Sequence, residues 1–176
     1  MQAVPSEVIE HPLDADTLSA RWREILDDPC FANFIGKLDL DRWGRILVSP
    51  VNTEHGRVSA RLAHLLITHL GGQAVVEVGV RTPEGIFAPD VAWCSDAFWQ
   101  AHGNETPLQV APEISVEVAS PFNTMQDLRE KAQAYLDAGA VEAWIVFPRS
   151  KRIEYRGRSG LLSKSGFSVD LATLFS

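Results

Sequence analysis

The stretch from Pro112 to Pro148 most constrains how this chain can fold, because it reads as strand, helix and strand in direct succession. PEISVEVAS is apolar without strict alternation, which is typical of a strand covered on both faces. DLREKAQAYLDAGA is an amphipathic helix with Asn123 or Thr124 as its N-cap and Gly139 at its end, and VEAWIVFP is a second apolar strand. Two strands joined by one helix predict a right-handed crossover between parallel neighbours.

The remaining elements extend this unit into an α/β fold, a mixed β-sheet flanked by helices. In chain order we predict a helix capped by Asp16 that ends before Pro29, a hairpin within residues 34–50, a helix from Thr53 to Gly71, and an adjacent strand pair at 73–81 and 88–95. The length of 176 residues and the hydrophobic content of 45% suit one globular domain. Within residues 1–176 we predict an N-terminal helix and hairpin at 14–50, a core at about 51–156, and C-terminal strands at 157–176.

The formal net charge of −7 argues against a protein that coats nucleic acid through a general positive field. Any affinity for nucleic acid must therefore be local, metal-assisted or built by oligomerisation. The basic residues that could provide a local contact with phosphate lie near the C-terminus: Arg149, Lys151, Arg152, Arg156, Arg158 and Lys164.

The cysteines and the N-terminus indicate the compartment. Cys30 and Cys94 lie far apart without metal-ligand spacing, so we predict reduced thiols, with Cys94 in the core. The first 16 residues have neither the basic start nor the apolar run of a signal peptide, and no later run approaches a membrane span. We therefore expect a cytoplasmic protein without membrane association.

One carboxylate, Glu117, lies in the middle of the apolar strand. An ionised carboxylate is costly to bury unless it is paired or binds a metal, so Glu117 needs a partner. Asp90 follows a proline at the entry of the neighbouring apolar strand, and Lys131 lies on the helix after Glu117. Two carboxylates on neighbouring strands are hard oxygen ligands that suit Mg²⁺ or Mn²⁺. With a lysine nearby, they predict a metal-dependent site that cleaves phosphodiester bonds.

The ordered motifs around these residues resemble the Uma2 family, which belongs to the PD-(D/E)XK restriction-endonuclease-like superfamily. The resemblance covers about residues 34–156. It rests on four motifs: Gly85-x-x-x-Pro89-Asp90-Val91, Glu117-Val118-x-Ser120, Asp127-Leu128-x-x-Lys131-x-x-x-Tyr135 and Gly139-x-x-Glu142-x-Trp144-Ile145-Val146. It implies a restriction-endonuclease-like core, with a mixed central β-sheet flanked by α-helices, and endonuclease activity on DNA.

The resemblance also implies roles for individual residues. Asp90 and Glu117 match the family's two acidic metal ligands, and the main-chain carbonyl of Val118 matches a third. The chain departs from the plain motif because Ala119 stands where the motif has its lysine, and Lys131 on the following helix matches the lysine that the family carries there. Tyr135, one turn after Lys131, shares its helix face and would contact substrate or orient the site.

Accessory residues are implied at two further places. His55 resembles a histidine often found at this helix start in the family, and Glu54 is a candidate for the acidic residue that the superfamily commonly adds from its first core helix. Glu77 competes for that role, and we rank it above Glu54 because a charge within a strand needs more explaining than one at a helix N-terminus. The plainer alternatives are a solvent-facing Glu77, a first-turn acid at Glu54, and helix-start hydrogen bonding by His55. Ser120 lacks the partners of a hydrolase triad, so we expect a turn or cap there.

Three functions remain open at this point. The favoured one is a Mg²⁺- or Mn²⁺-dependent DNA endonuclease, for which we expect a homodimer because enzymes that cut both strands often pair two sites. The second is a non-catalytic module that binds nucleic acid or protein, in which Glu117 and Lys131 form a buried ion pair without metal. The third is a metal-dependent hydrolase of a small phosphorylated molecule, which would need a closed pocket too narrow for a duplex.

Overall fold

The computed structural model describes residues 11–31, 34, 36–50 and 52–176. The four helices are α1 (Ala15–Asp27), α2 (Thr53–Leu70), α3 (Asp96–His102) and α4 (Met125–Asp137). The strands are β1 (Lys37–Asp41), β2 (Ile46–Ser49), β3 (Gln73–Val75), β4 (Val80–Thr82), β5 (Gly85–Phe87), β6 (Val91–Cys94), β7 (Ile114–Val118), β8 (Glu142–Phe147), β9 (Arg152–Gly157) and β10 (Gly160–Leu162). Residues 1–10, on which most of the argument against a signal peptide rests, lie outside the described residues. Among the helices described, none combines the length and the apolar character needed to cross a membrane.

A six-stranded mixed sheet forms the centre of the fold, in the order β10-β9-β8-β7-β6-β3. Strands β7 and β8 run parallel, with Glu117 opposite Ile145, and α4 connects them. Every residue of β7 is buried. The predicted strand–helix–strand unit and the mixed sheet flanked by helices are therefore confirmed.

The two faces of this sheet pack against different helices. Val116 and Val118 of β7 pack in one apolar cluster with the α2 residues Val58 and Leu62. Ile145 of β8 packs in a second cluster with α4. Since successive side chains of a strand point to opposite faces, Glu117 points toward α4 rather than α2.

Helix α4 begins at a capping box formed by Thr124 and Asp127, each of whose side chains accepts a hydrogen bond from the other's backbone N–H. Leu128, Ala132 and Tyr135 form its buried face. The cap fixes where the helix starts, and the buried face fixes its rotation. Lys131 and Tyr135 are consequently directed toward β7.

A second, four-stranded sheet was not predicted, and its order is β2-β1-β5-β4. Its β1–β2 hairpin was predicted, but β5 lies in the segment between the predicted strands at 73–81 and 88–95, for which we predicted no strand. The predicted strand at 73–81 is interrupted by a bend in which Glu77 has a φ of 53°. This break sends β3 to one sheet and β4 to the other. Gly85 is required at the start of β5, because an added Cβ would collide with the carbonyl oxygen of Leu40 on β1.

Both ends of the chain differ in detail from the prediction. Asp14, not Asp16, caps α1, because its carboxylate accepts from the backbone N–H groups of Asp16 and Thr17. At the other end, the last strand stops at Leu162, and the predicted strands beyond it are replaced by turns. Leu174 nevertheless lies fully buried in the core beside α2. Cys30 and Cys94 are free thiols, and Cys94 is buried as predicted.

Candidate active site

Glu117 lies at the centre of a buried polar network, with only 4% of its surface exposed. Its Oε1 accepts a hydrogen bond from the hydroxyl of Tyr135 at 2.6 Å, and its Oε2 accepts from the ammonium of Lys37 at 2.9 Å. Strand β7 presents the carboxylate, α4 the hydroxyl, and β1 the ammonium. The buried Glu117 was expected to have a partner, and it has two, the Tyr135 hydroxyl and the Lys37 ammonium.

Asp90 lies beside Glu117, immediately before β6, and is 3% exposed. Its Oδ1 accepts from the Lys37 ammonium at 2.6 Å. Its Oδ2 accepts from the backbone N–H of Val118 at 2.6 Å and lies 3.0 Å from Nε2 of His55. The Asn52 side chain caps α2 by accepting from the backbone N–H of His55, which places the imidazole over Asp90.

Lys131 reaches the network from the α4 side. Its ammonium donates to Oδ2 of Asp39 at 2.6 Å and lies 3.8 Å from Oε1 of Glu117. The other oxygen of Asp39 accepts from the backbone N–H of Ala88 at 2.7 Å. Asp39 therefore holds Lys131 beside Glu117 and also ties β1 to the segment that carries Asp90.

Burial and neighbouring groups shift the pKa of several residues of the network. Burial alone would raise the pKa of Asp90, but the hydrogen bond from His55 and the charge of Lys37 lower it to about 2. Burial raises the pKa of Glu117, and Lys131 and Lys37 offset part of that effect. The hydrogen bond to Asp90 raises the pKa of His55. Burial and then Glu117 raise the pKa of Tyr135, so its hydroxyl keeps its proton and acts as a donor.

The donor atoms fit a hard divalent cation in chemistry. One oxygen of Asp90 and one of Glu117 already converge on a single positive centre, the Lys37 ammonium. Carboxylate oxygens are the ligands that Mg²⁺ and Mn²⁺ prefer. Over residues 11–31, 34, 36–50 and 52–176, no three His, Cys, Asp or Glu side chains form a group that could hold a metal ion. A metal here would need non-side-chain ligands as well, which is the role predicted for the Val118 carbonyl.

Two cavities connect Asp90 with the surface. A small one of about 20 Å³ touches Lys37, His55, Asp90, Glu117, Ser120 and Asn123. Next to it lies a larger cavity of about 350 Å³, which shares His55, Ser120 and Asn123 and has Arg149 on its wall. Ser120 serves a turn, as predicted, because its hydroxyl and backbone N–H both donate to Oδ1 of Asn123.

A third cavity, of about 700 Å³, shares no lining residue with these two and reaches Lys131. Its lining includes five carboxylates, from Asp41, Glu84, Asp127, Glu130 and Asp137. Such a surface repels phosphate, so a polyanion would approach from the Arg149 side.

The basic residues near the C-terminus do not gather on one surface. Arg149 lines the cavity beside the site, whereas Arg158 and Lys164 line two other cavities. Arg152 and Arg156 form ion pairs with the buried Glu154. The local phosphate-binding surface predicted from the sequence is therefore reduced to the turn around Arg149 and Lys151.

The two acidic accessory candidates lie in different surroundings. Glu54 is exposed on the first turn of α2 and lines the same cavity as His55. Glu77 is exposed in the bend between β3 and β4, so its placement within a strand was wrong. The reason for ranking it above Glu54 is thereby removed.

Two residues of the network, Lys37 and Asp39, were missed by the sequence interpretation. Both belong to KLDLD of β1, where Lys37, Asp39 and Asp41 alternate with leucines and share one strand face. Such a pattern normally indicates a strand with one face in solvent. All three charged residues are buried, because this face of the small sheet turns toward the large sheet and α4.

Comparisons with known proteins agree with this architecture. The family model Uma2, described as "Putative restriction endonuclease", matches residues 33–168. No curated protein matches the chain. The chain is similar to the crystal structure of a "putative nuclease" from Anabaena variabilis, with a TM-score of 0.69 and 14% identity over 88% of this chain and 96% of that one. That likeness shows a shared fold, and the family match over most of the chain shows that this protein belongs to the Uma2 family.

Proposed function

We propose that this protein is a divalent-metal-dependent endonuclease that hydrolyses phosphodiester bonds in DNA. The observation that carries the proposal is the convergence of Asp90 and Glu117 on one cationic centre, with the Lys131 ammonium 3.8 Å from Glu117. The description of the matched family and the name of the structural neighbour support a nuclease in general.

Asp90, Glu117 and the Val118 carbonyl would hold the Mg²⁺ or Mn²⁺ ion. Such an ion supplies Lewis acidity toward the phosphate and lowers the pKa of bound water. Lys131 would stabilise the hydroxide or the negative charge that develops on the phosphate, and Asp39 orients it for that purpose. Tyr135 would act as a positioning residue for Glu117.

The DNA strand would approach through the cavity of about 350 Å³ beside His55. Arg149 on its wall and Lys151 in the same turn offer positive charge to the phosphates, in contrast to the acidic cavity on the Lys131 side. We further propose a homodimer, because two sites are needed to cut both strands at once. Size-exclusion chromatography with light scattering measures the molar mass of the protein and so tests the dimer independently of cleavage.

Cleavage of supercoiled plasmid and of single-stranded DNA tests the assignment. With Mg²⁺ or Mn²⁺ the wild type should cut, EDTA should stop it, and Asp90→Asn, Glu117→Gln and Lys131→Met should each reduce the rate by about a hundredfold or more. Lys164→Met is the matched control, since Lys164 is exposed and lines a different cavity. Metal-dependent cleavage that survives both Asp90→Asn and Lys131→Met would refute the assigned site.

A second candidate is a non-catalytic module that binds nucleic acid or protein. It is favoured by Lys37, whose ammonium already pairs with both Asp90 and Glu117 in the position of a metal, and by the net charge of −7. Binding of DNA without cleavage under any metal condition would support this candidate.

A further inference from the structure

Lys37 is the lysine of the network to which the proposed mechanism gives no task. It is the first residue of β1 and only 5% exposed, and its ammonium donates to Asp90 at 2.6 Å and to Glu117 at 2.9 Å. A buried lysine is rare unless it is paired. Here it is paired with the two carboxylates that would hold the metal.

The ammonium and a divalent ion require the same oxygen atoms. Mg²⁺ binds carboxylate oxygens at about 2.0–2.1 Å, so it would have to enter the space that the Lys37 ammonium fills. The ammonium lies within hydrogen-bond distance of both carboxylates, so an ion at the same oxygens would lie next to a like charge. The ion can therefore enter only when the Lys37 side chain moves away.

Charge balance favours the same exclusion. With His55 neutral, the ionised Asp39, Asp90 and Glu117 contribute three negative charges, and Lys37 and Lys131 contribute two positive charges. A protonated His55 beside Asp90 would balance these charges even without a metal. A divalent ion added to this set would leave an excess of positive charge in a buried place. Without the Lys37 ammonium, the same ion would neutralise the remaining charge.

We propose that Lys37 is a built-in competitor for the divalent cation, which binds only when the Lys37 ammonium leaves Asp90 and Glu117. This inference rests on the proposed function and assigns to Lys37 the control of metal loading. The cavity of about 20 Å³ that touches Lys37, Ser49 and Asn123 gives the flexible side chain a direction in which to move.

Calorimetric titration of the DNA-free protein with Mn²⁺ tests the proposal. Lys37→Met keeps the side-chain length and removes the charge, and we expect it to bind Mn²⁺ about tenfold or more tightly than the wild type, since two buried carboxylates lose their cation. Lys131→Met is the matched control. It removes a charge near Glu117 without vacating the shared position, so its gain should be smaller. A gain in Lys37→Met no larger than that in Lys131→Met would overturn the proposal.

The double variant Lys37→Met with Asp90→Asn locates the binding. The double variant should lose the tighter Mn²⁺ binding that Lys37→Met shows. If the double variant still binds Mn²⁺ more tightly than the wild type, the ion lies elsewhere and the proposal is overturned. Tighter Mn²⁺ binding by Lys37→Met, in a protein that never cleaves DNA, would support the competitor and refute the nuclease. Metal-dependent cleavage by the wild type, with no tighter Mn²⁺ binding by Lys37→Met, would support the nuclease and refute the competitor.

A measurement on the wild type does not depend on whether the variants fold. In a crystal structure determined at saturating Mn²⁺, the ion should contact Asp90 and Glu117, and the Lys37 ammonium should have left both. An ion bound to both carboxylates with Lys37 still in place would overturn the proposal. A crystal structure at saturating Mn²⁺ that shows no ion at these carboxylate oxygens would also overturn the proposal.

Discussion

The hydroxyl of Tyr135 donates a hydrogen bond of 2.6 Å to Oε1 of Glu117, and both side chains are buried. The two residues are 18 positions apart and lie on α4 and β7. Since the crossover helix packs directly on the strand before it, this bond fixes the carboxylate relative to the helix that carries Lys131. A buried carboxylate with a hydroxyl donor on one oxygen and an ammonium on the other has little freedom to rotate.

Replacing Tyr135 by Phe removes the donor and leaves Oε1 of Glu117 without its closest partner. We expect the free energy of unfolding to fall by about 1–3 kcal/mol, the cost of an unsatisfied buried polar group. Urea unfolding measures it. Tyr155→Phe is the control, because Tyr155 packs edge-on against Trp144 and its hydroxyl has no hydrogen-bond partner among the described residues, so its loss should be smaller. Equal losses in the two variants would argue against the hydrogen bond as the cause.

The pairing of His55 with Asp90 makes stability depend on pH in the metal-free protein. The pKa of His55 is raised above its ordinary 6.5, so the folded state binds its proton more tightly than the unfolded state. This contribution is fully present below pH 6.5 and is lost as the pH rises through the raised pKa. The stability difference between wild type and His55→Gln should therefore shrink as the pH rises from about 6 to about 9.

Urea unfolding in EDTA at a series of pH values measures this difference. In an Asp90→Asn background the difference caused by the same histidine replacement should no longer shrink with rising pH, because the carboxylate that raises the pKa is gone. A difference between wild type and His55→Gln that stays constant with pH would contradict the ion pair.

Arg149 should contribute one phosphate contact to DNA binding. With Arg149→Ala, the plot of log affinity against log salt concentration should lose about one unit of slope, whatever the DNA sequence. Arg158→Ala is the matched control, since Arg158 lies in another cavity beside Asp137. Fluorescence anisotropy with a labelled duplex and Ca²⁺ in place of Mg²⁺ makes the measurement. Equal slopes in wild type and Arg149→Ala would remove this turn from the DNA-binding surface.

Cleavage by two variants can show whether Glu54 or Glu77 is the accessory acidic residue of the site. Glu54→Gln should slow cleavage, because Glu54 lines the cavity next to His55. Glu77→Gln should leave the rate unchanged, because Glu77 is exposed in the bend after β3. Single-turnover cleavage of plasmid DNA compares the two variants. If Glu77→Gln cleaves more slowly than the wild type and Glu54→Gln cleaves at the wild-type rate, Glu77 ranks above Glu54.

The crossover of β7, α4 and β8 could be predicted because each of its signals is local. Apolar runs, a capping residue and a terminal glycine all lie within the segment that they describe. The same unit brought Glu117, Lys131 and Tyr135 together, and Asp90 joined them because its strand is the neighbour of β7. Whether these residues bind metal and cleave DNA stays a prediction.

The contributions of Lys37 and Asp39 could not be predicted, because strand alternation gives a shared face without saying what covers it. Lys37 and Glu117 are 80 residues apart, and only the packing of the small sheet on the large one brings them into contact. The prediction that Glu77 lies within a strand was wrong for a different reason. A single residue at positive φ divides VVEVGV between two sheets, and nothing in its apolar pattern indicates the break.

Strand β1 belongs to the small sheet, whereas Glu117 belongs to the large one. The ion pairs of Lys37 with Asp90 and Glu117 therefore join two separately hydrogen-bonded layers. A change of a few degrees in the angle between the layers would alter the spacing of these charges, while leaving every ladder of either sheet intact. The geometry of the site therefore depends on how the two sheets pack against each other, and not on either sheet alone.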